Sequence, residues 1–276
     1  MKRSYTRFIG VDLGGGRGKT TAVAELRSGP AGAEVIEVAT RSGKQPWSDE
    51  TLMQRLARVG SDAVIAIDAA LTQAACGRCT EPVCPGMEAC SDPATVWLRT
   101  EGRALVRNVA VESIGAGPRP MLTAQARLAP YAHRATDVMM TYERGLLPLA
   151  ALGATSGAIA ARASQLRRRL KGVGFELHQN LLEVSPAATI AALCDERSAR
   201  GYKRDADPWR TRALILERLG DLSFAPQSRM AREDVLQNDH CFDAVISAYT
   251  AYLWARDSWP TPEGFFVEDG WIVAPP

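Results

Sequence analysis

The spacing of apolar positions changes along the chain, and its first part follows the pattern of strands. Residues 8–13 form a short apolar run that ends in a row of glycines, which predicts a buried strand entering a tight turn. Residues 20–26 and 33–39 alternate apolar and polar side chains around a short link with Gly and Pro, which predicts a hairpin. Ala63–Asp68 is a second buried run. We therefore expect three antiparallel strands followed by a separate strand.

Helical spacing dominates most of the remaining sequence. Residues 48–59 begin with a serine in the position of an N-cap and repeat leucines on one face. Similar spacing predicts helices in five later segments: 136–145, 156–172, 187–194, 208–219 and 239–256. Leu181–Val184 predicts a short strand between these helices, and residues 109–114 favour another. This order predicts an α/β fold whose mixed sheet, three antiparallel strands and then parallel strands, is flanked by helices.

Two regions depart from these patterns. Residues 69–100 are rich in Cys, Pro and Gly and show no clear period, which predicts an inserted loop. Residues 264–274 alternate around an Asp-Gly pair, which predicts a hairpin. Because no linker clearly divides the chain, we expect a single domain over residues 1–276 that carries the insertion at 69–100.

Composition narrows the classes of protein that fit this pattern. The chain is 46% hydrophobic and 23% charged, which excludes a disordered protein. Its formal net charge of +2 does not by itself indicate a nucleic-acid binder. We find neither a membrane-spanning run nor the apolar region of a signal peptide, so we expect no membrane partner and a cytoplasmic location with reduced thiols.

Acidic residues recur where the predicted strands end. Asp12 and Asp68 lie at the ends of two apolar strands, and Glu183 lies near the end of a third. Asp243 lies in the first turns of a late helix. Since parallel strands bring their carboxyl ends to one crevice, these four carboxylates would repel each other unless Mg²⁺ or Mn²⁺ lay between them. The alternative is that each acid caps a helix or pairs with an arginine.

Several short segments carry a resemblance to a known family. In chain order they read IGVD at 9–12, AIDA at 66–69, EVSPAA at 183–188 and DHCFDA at 239–244. In order and spacing they resemble a prokaryotic domain-of-unknown-function family of predicted nucleases with an RNase H-like fold. The resemblance implies an RNase H-like sheet with Asp12 at its centre and with Asp68, Glu183 and Asp243 as the other metal ligands. Arg134 and Arg144, which flank a predicted helix, also resemble a motif of this family and are candidate substrate-binding residues.

Two further residues near these motifs are candidates for the chemistry. His240 precedes Asp243 by three positions and could donate a proton or support a metal ligand, or hydrogen-bond at the helix N-terminus instead. Lys19 follows the glycine-rich turn, where it would approach the substrate backbone. A P-loop does not fit, because Leu13 occupies the position of its first glycine. An actin-like ATPase, whose glycine turn holds phosphates, remains an alternative.

The insertion carries the strongest spacing signal in the chain. Its cysteines form the pattern C-x₂-C-x₄-C-x₅-C and are Cys76, Cys79, Cys84 and Cys90. Four thiols this close in a reducing compartment indicate a metal, and the compact spacing favours a [4Fe–4S] cluster with Zn²⁺ as the alternative. Free thiols in a loop are the third interpretation.

These observations predict a divalent-metal-dependent nuclease or phosphodiesterase that acts on DNA or RNA through a metal-activated water. Two alternatives stay open. One is an actin-like nucleotide hydrolase of the activator type with a cysteine-bound cluster, and the other is a non-catalytic module that binds nucleic acid or docks a partner.

Overall fold

The structure is a computed structural model, and it describes residues 4–15, 20–106, 128–143, 157–226, 228 and 230–276. Nine strands lie in these residues. They are β1 Arg7–Asp12, β2 Ala22–Gly29, β3 Gly32–Ala39, β4 Arg41–Ser42, β5 Gln45–Pro46, β6 Ala63–Asp68, β7 Leu181–Val184, β8 Leu222–Phe224 and β9 Ile272–Val273. Seven of them form one sheet in the order β8-β3-β2-β1-β6-β7-β9, and β4 and β5 form a separate ribbon.

Ten α-helices lie in the same described residues. They are α1 Asp49–Ala57, α2 Pro93–Trp97, α3 Ala135–Glu143, α4 Gly157–Lys171, α5 Pro186–Leu193, α6 Glu196–Gly201, α7 Pro208–Arg218, α8 Arg232–Gln237, α9 Asp239–Arg256 and α10 Phe266–Asp269. A 3₁₀ turn at Ala75–Gly77 and a π-helical turn at Leu98–Gly102 complete the list. None of the described helices has the length and apolar content needed to cross a membrane.

The sheet has the mixed topology that the sequence predicts. Strands β1, β2 and β3 pair antiparallel, whereas β6, β7 and β9 extend the sheet from β1 in parallel. Strand β8, which the sequence pattern did not reveal, adds to β3 in parallel over three residue pairs. Residues 109–114, for which a strand is predicted, lie outside the described residues.

Helices cover the two faces of the sheet, and α9 is the central one. Alternation along the strands sends Phe8 and Val64 to the face that α9 covers, and Ile9 and Ile65 to the face that α1 and α4 cover. Gly10 faces α9, where an added Cβ would lie only 1.9 Å from the carbonyl oxygen of Ala244. The glycine therefore lets α9 lie directly against β1.

Two predictions about local structure are wrong. The last residues form α10 and then β9, which pairs in parallel with β7, instead of a hairpin. Gly270, at φ 112°, ends α10, so the Asp-Gly pair marks a helix end rather than a hairpin turn. The insertion is also not a loop throughout, because Asp92 caps α2 by accepting a hydrogen bond from Thr95 N.

Candidate metal centre

Strand register places two of the predicted ligands side by side. Asp12 at the end of β1 is the direct parallel partner of Asp68 at the end of β6, so both side chains leave the same face of the sheet. Asp243 joins them from the second turn of α9, which the close approach at Gly10 holds against β1. Each of the three residues offers a carboxylate oxygen that lies within 4.8 Å of the other two. We call these three residues the aspartate triad.

The triad concentrates negative charge where water is scarce. Asp243 is 0% exposed, and neither of its carboxylate oxygens accepts a hydrogen bond of good geometry from the described residues. Burial raises the pKa of Asp243 to about 6, although Lys203 opposes this shift. Burial and then the charges of Asp243 and Asp12 raise the pKa of Asp68 well above its usual value. Bringing these groups together therefore costs free energy that a bound cation would offset.

Two basic side chains border the triad. His240 Nδ1 lies 2.5 Å from Asp12 Oδ2, and this hydrogen bond raises the pKa of His240. Lys203 forms an ion pair with Asp243 Oδ2. Burial lowers the pKa of Lys203, but the charge of Asp243 outweighs it and the net shift is upward. His240 therefore lies beside the acids, as its sequence position indicated. Lys203 was not predicted as a site residue, because nothing in its local sequence distinguishes it.

Glu183 lies in the same region but outside the triad. It pairs with Ile67 across β6 and β7, one position short of Asp68, so its side chain leaves the opposite face of the sheet. There its Oε1 and Oε2 accept hydrogen bonds from Arg134 at 2.5 and 2.8 Å, and Oε2 also accepts from Leu71 N. In this structure Glu183 is thus held in a buried ion pair outside the three converging carboxylates, and its predicted part in metal binding stays a prediction.

Arg134 is the centre of this second cluster and is only 1% exposed. Its guanidinium also donates to both carboxylate oxygens of Asp137, at 2.7 and 3.0 Å, and to Thr72 Oγ1. Burial lowers the pKa of Arg134, yet the two carboxylates raise it well above its usual value. Because Arg134 already has these partners, the contacts indicate a structural role, and its predicted role in binding substrate stays a prediction. We call Arg134, Asp137 and Glu183 the arginine cluster.

The two other predicted substrate residues, Lys19 and Arg144, lie outside the described residues. Cavities beside the triad supply different candidates. One of about 240 Å³ is lined by Asp12, Asp68 and Lys203, and also by the three residues of the arginine cluster. A second of about 260 Å³ shares Asp68 and Lys203 and is also lined by Arg204. Cationic side chains on and after α6 therefore face the space next to the acids.

The insertion carries its four cysteines near the surface. Cys76, Cys79 and Cys84 are exposed and Cys90 is half-buried. Among the described residues, the aspartate triad is the one group of three or more ligand side chains whose donor atoms lie within 4.8 Å of each other. The four thiols are thus not gathered to that distance in this structure, and the predicted cluster or zinc ion stays a prediction.

Comparison with known proteins identifies a family but no activity. A family model described as "Protein of unknown function (DUF429)" matches residues 10–264 and so includes every member of the triad. No curated protein and no solved structure matches the chain. The predicted membership of a domain-of-unknown-function family is therefore confirmed.

Proposed function

Because this chain belongs to the DUF429 family, whose function is unknown, we propose its function from the aspartate triad: a divalent-metal-dependent nuclease or phosphodiesterase. The single observation that carries the proposal is the convergence of three carboxylates from β1, β6 and α9 on one partly buried point. Acids that only cap helices or pair with arginines would not converge in this way.

The donor set favours a hard cation. Carboxylate oxygens alone suit Mg²⁺ or Mn²⁺, whereas zinc and the softer metals prefer imidazole or thiolate ligands. Asp12, Asp68 and Asp243 would hold the ion, and the carboxylate of Asp243 would then be shared between the ion and Lys203. Such a bound ion activates water and offsets charge on a phosphodiester.

The neighbouring side chains fit a phosphate substrate. Lys203 stays protonated beside the acids and lines both cavities, so its Nζ can bind a phosphate oxygen. His240 uses Nδ1 on Asp12, which leaves Nε2 to give a proton to a leaving oxygen. Arg204, which lines the larger cavity, extends the positive wall along a nucleic-acid backbone. DNA or RNA is therefore the proposed substrate.

The test compares cleavage by wild type and by Asp12→Asn, using single- and double-stranded DNA and RNA with Mg²⁺, Mn²⁺ or EDTA. We expect wild type to cleave at least one substrate with metal and the variant to lose at least about 100-fold in rate, because the ion loses a charged ligand. Asp257→Asn is the matched control, since Asp257 follows the far end of α9 and pairs with Arg256. Cleavage that resists EDTA, or that Asp12→Asn retains, would contradict the proposal.

A further inference from the structure

The four cysteines of the insertion are the largest group of reactive side chains that the proposed nuclease does not use. Cys76 and Cys79 flank a tight turn, in which Gly77 N donates to Ala74 O at 2.8 Å and Arg78 N donates to Ala75 O at 3.3 Å. Cys76 N also donates to Pro130 O at 3.0 Å. This turn is of the kind that presents two cysteines to one metal, and it is anchored to the rest of the protein.

The chain that follows the turn has little to order it. Residues 79–91 are described throughout and contain neither helix nor strand. Val83 is 79% exposed, and Cys84 beside it is exposed as well, so the segment buries almost no apolar surface. Fixing each residue costs about 1–2 kcal/mol of conformational entropy. A cross-link between the cysteines of this segment would supply the stabilisation that hydrophobic burial does not provide.

The thiol of Cys76 interacts electrostatically with the other three thiols. Burial raises the pKa of Cys76, and the neighbouring thiols of Cys84, Cys79 and Cys90 raise it further. A tetrahedral zinc ion would bring its sulfur atoms to about 3.8 Å from each other, given a Zn–S bond of about 2.3 Å. An iron–sulfur cluster separates its thiolates more widely, because iron and sulfide atoms lie between them.

Arginines around the loop match the charge that such a centre would carry. Arg99 Nη1 donates to Cys90 O at 2.6 Å and to Met87 O at 3.0 Å. Arg78, between the first two cysteines, reaches Asp92 and the buried Asp269, both at 3.1 Å. Four thiolates with a zinc ion or a cubane cluster leave a net negative charge, part of which the guanidinium of Arg99 would offset, whereas Arg78 already pairs with two carboxylates.

We propose that Cys76, Cys79, Cys84 and Cys90 bind one thiolate-ligated metal centre, a zinc ion or an iron–sulfur cluster. Binding releases the thiol protons and closes the exposed segment onto the turn. The centre also holds Arg78 against Asp269, whose Oδ2 accepts from Ala135 N at the start of α3. It thereby braces the helix that carries Asp137, and it acts as a structural clamp without any redox step.

The test is metal content after anaerobic purification, for wild type and for the variant Cys79→Ser/Cys84→Ser. We expect wild type to hold either about one zinc ion or about four iron and four sulfide per chain with visible absorption. The variant should lose the metal. Cys194→Ser is the matched control, because Cys194 is a half-buried cysteine away from the loop and should leave metal content unchanged. Zinc and iron with sulfide are separate outcomes that both support the centre.

A second measurement uses wild type alone, so it does not depend on whether the cysteine variant folds. In wild type the exposed thiols should resist alkylation until a strong chelator is added, and then all four should react. The proposal is overturned if wild type holds no stoichiometric zinc or iron even after reconstitution with Zn²⁺, or with Fe²⁺ and sulfide. It is equally overturned if the four thiols react at the same rate before and after the chelator. Neither result bears on the nuclease, whose test uses Asp12.

Discussion

Two groups of acidic residues lie on opposite faces of the same sheet edge, and the protein treats them differently. In the arginine cluster, Glu183 and Asp137 share the guanidinium of Arg134, and hydrogen bonds occupy every carboxylate oxygen of the pair. In the aspartate triad, three carboxylates face one lysine and one histidine. Every carboxylate oxygen of the first group accepts a hydrogen bond from the guanidinium, whereas neither carboxylate oxygen of Asp243 accepts one of good geometry from the described residues.

This difference separates acids whose oxygens are all hydrogen-bonded within the protein from acids whose oxygens are not. A buried carboxylate whose oxygens all accept from a guanidinium needs no further ligand to satisfy its hydrogen bonds. A group of carboxylates whose pKa values rise through burial and mutual repulsion is instead poised for a cation. The saturation of carboxylate oxygens with hydrogen bonds, rather than the mere presence of an acid at a strand end, therefore distinguishes the two groups.

The largest expected effect comes from breaking the arginine cluster. Arg134→Met keeps much of the side-chain volume but leaves Glu183 and Asp137 buried without a partner. We expect a loss of about 3–5 kcal/mol in the free energy of unfolding, as for other buried ion pairs that lose one member. Urea unfolding followed by circular dichroism measures it.

The matched control for this prediction is Arg169→Met, which removes an arginine that pairs with Glu50 on the surface. That substitution should change the free energy of unfolding little, because water replaces the lost partner. If both variants lost equally little stability, the arginine cluster would not have the structural role assigned to it.

A smaller effect is expected from pH acting on the triad. Burial raises the pKa of Asp243 from its ordinary value of 3.8 to about 6, so the metal-free folded protein binds this proton more tightly than the unfolded chain does. The protonated carboxyl of Asp243 therefore contributes to the free energy of unfolding, on the order of 1–3 kcal/mol. This contribution is complete at pH values below the pKa of the unfolded chain, and it is lost as the pH rises through about 6. A metal needs the charged carboxylates, so its stabilisation should grow over the same range.

Thermal unfolding with and without Mn²⁺ at about pH 5 and about pH 7.5 checks this prediction. We expect Mn²⁺ to raise the unfolding temperature of wild type mainly at the higher pH. Asp243→Asn should show little Mn²⁺ effect at either pH. Equal stabilisation of wild type at both values would contradict the predicted linkage.

Strand periodicity predicted most of the fold, because apolar runs report burial directly. Leu181–Val184 and Asp239–Arg256 were predicted with the bounds that the structure shows. Strand β8 and the terminal elements α10 and β9 were not predicted, because such short strands and single helical turns contain too few residues to show a period. The Asp-Gly pair was ambiguous for another reason, because such a pair occurs both in hairpin turns and at the ends of helices.

The site was only partly predictable because its assembly depends on register. Strand-end position singled out Asp12 and Asp68 correctly, but it could not show that Glu183 lies one position earlier and faces away. The burial of Arg134 was not predicted either, since basic character does not reveal burial. Lys203 carries no local signal, because its place beside Asp243 arises from the packing of distant segments.

The most direct test of the contrast is calorimetric titration of Mn²⁺ into wild type, Asp68→Asn and Glu183→Gln at neutral pH. Both substitutions replace one buried or partly buried carboxylate by an amide of the same shape. We predict that Asp68→Asn weakens Mn²⁺ binding at least about 10-fold, whereas Glu183→Gln lowers thermal stability and changes Mn²⁺ affinity little. Equal affinities for wild type and Asp68→Asn, or loss of Mn²⁺ binding in a folded Glu183→Gln, would contradict the account.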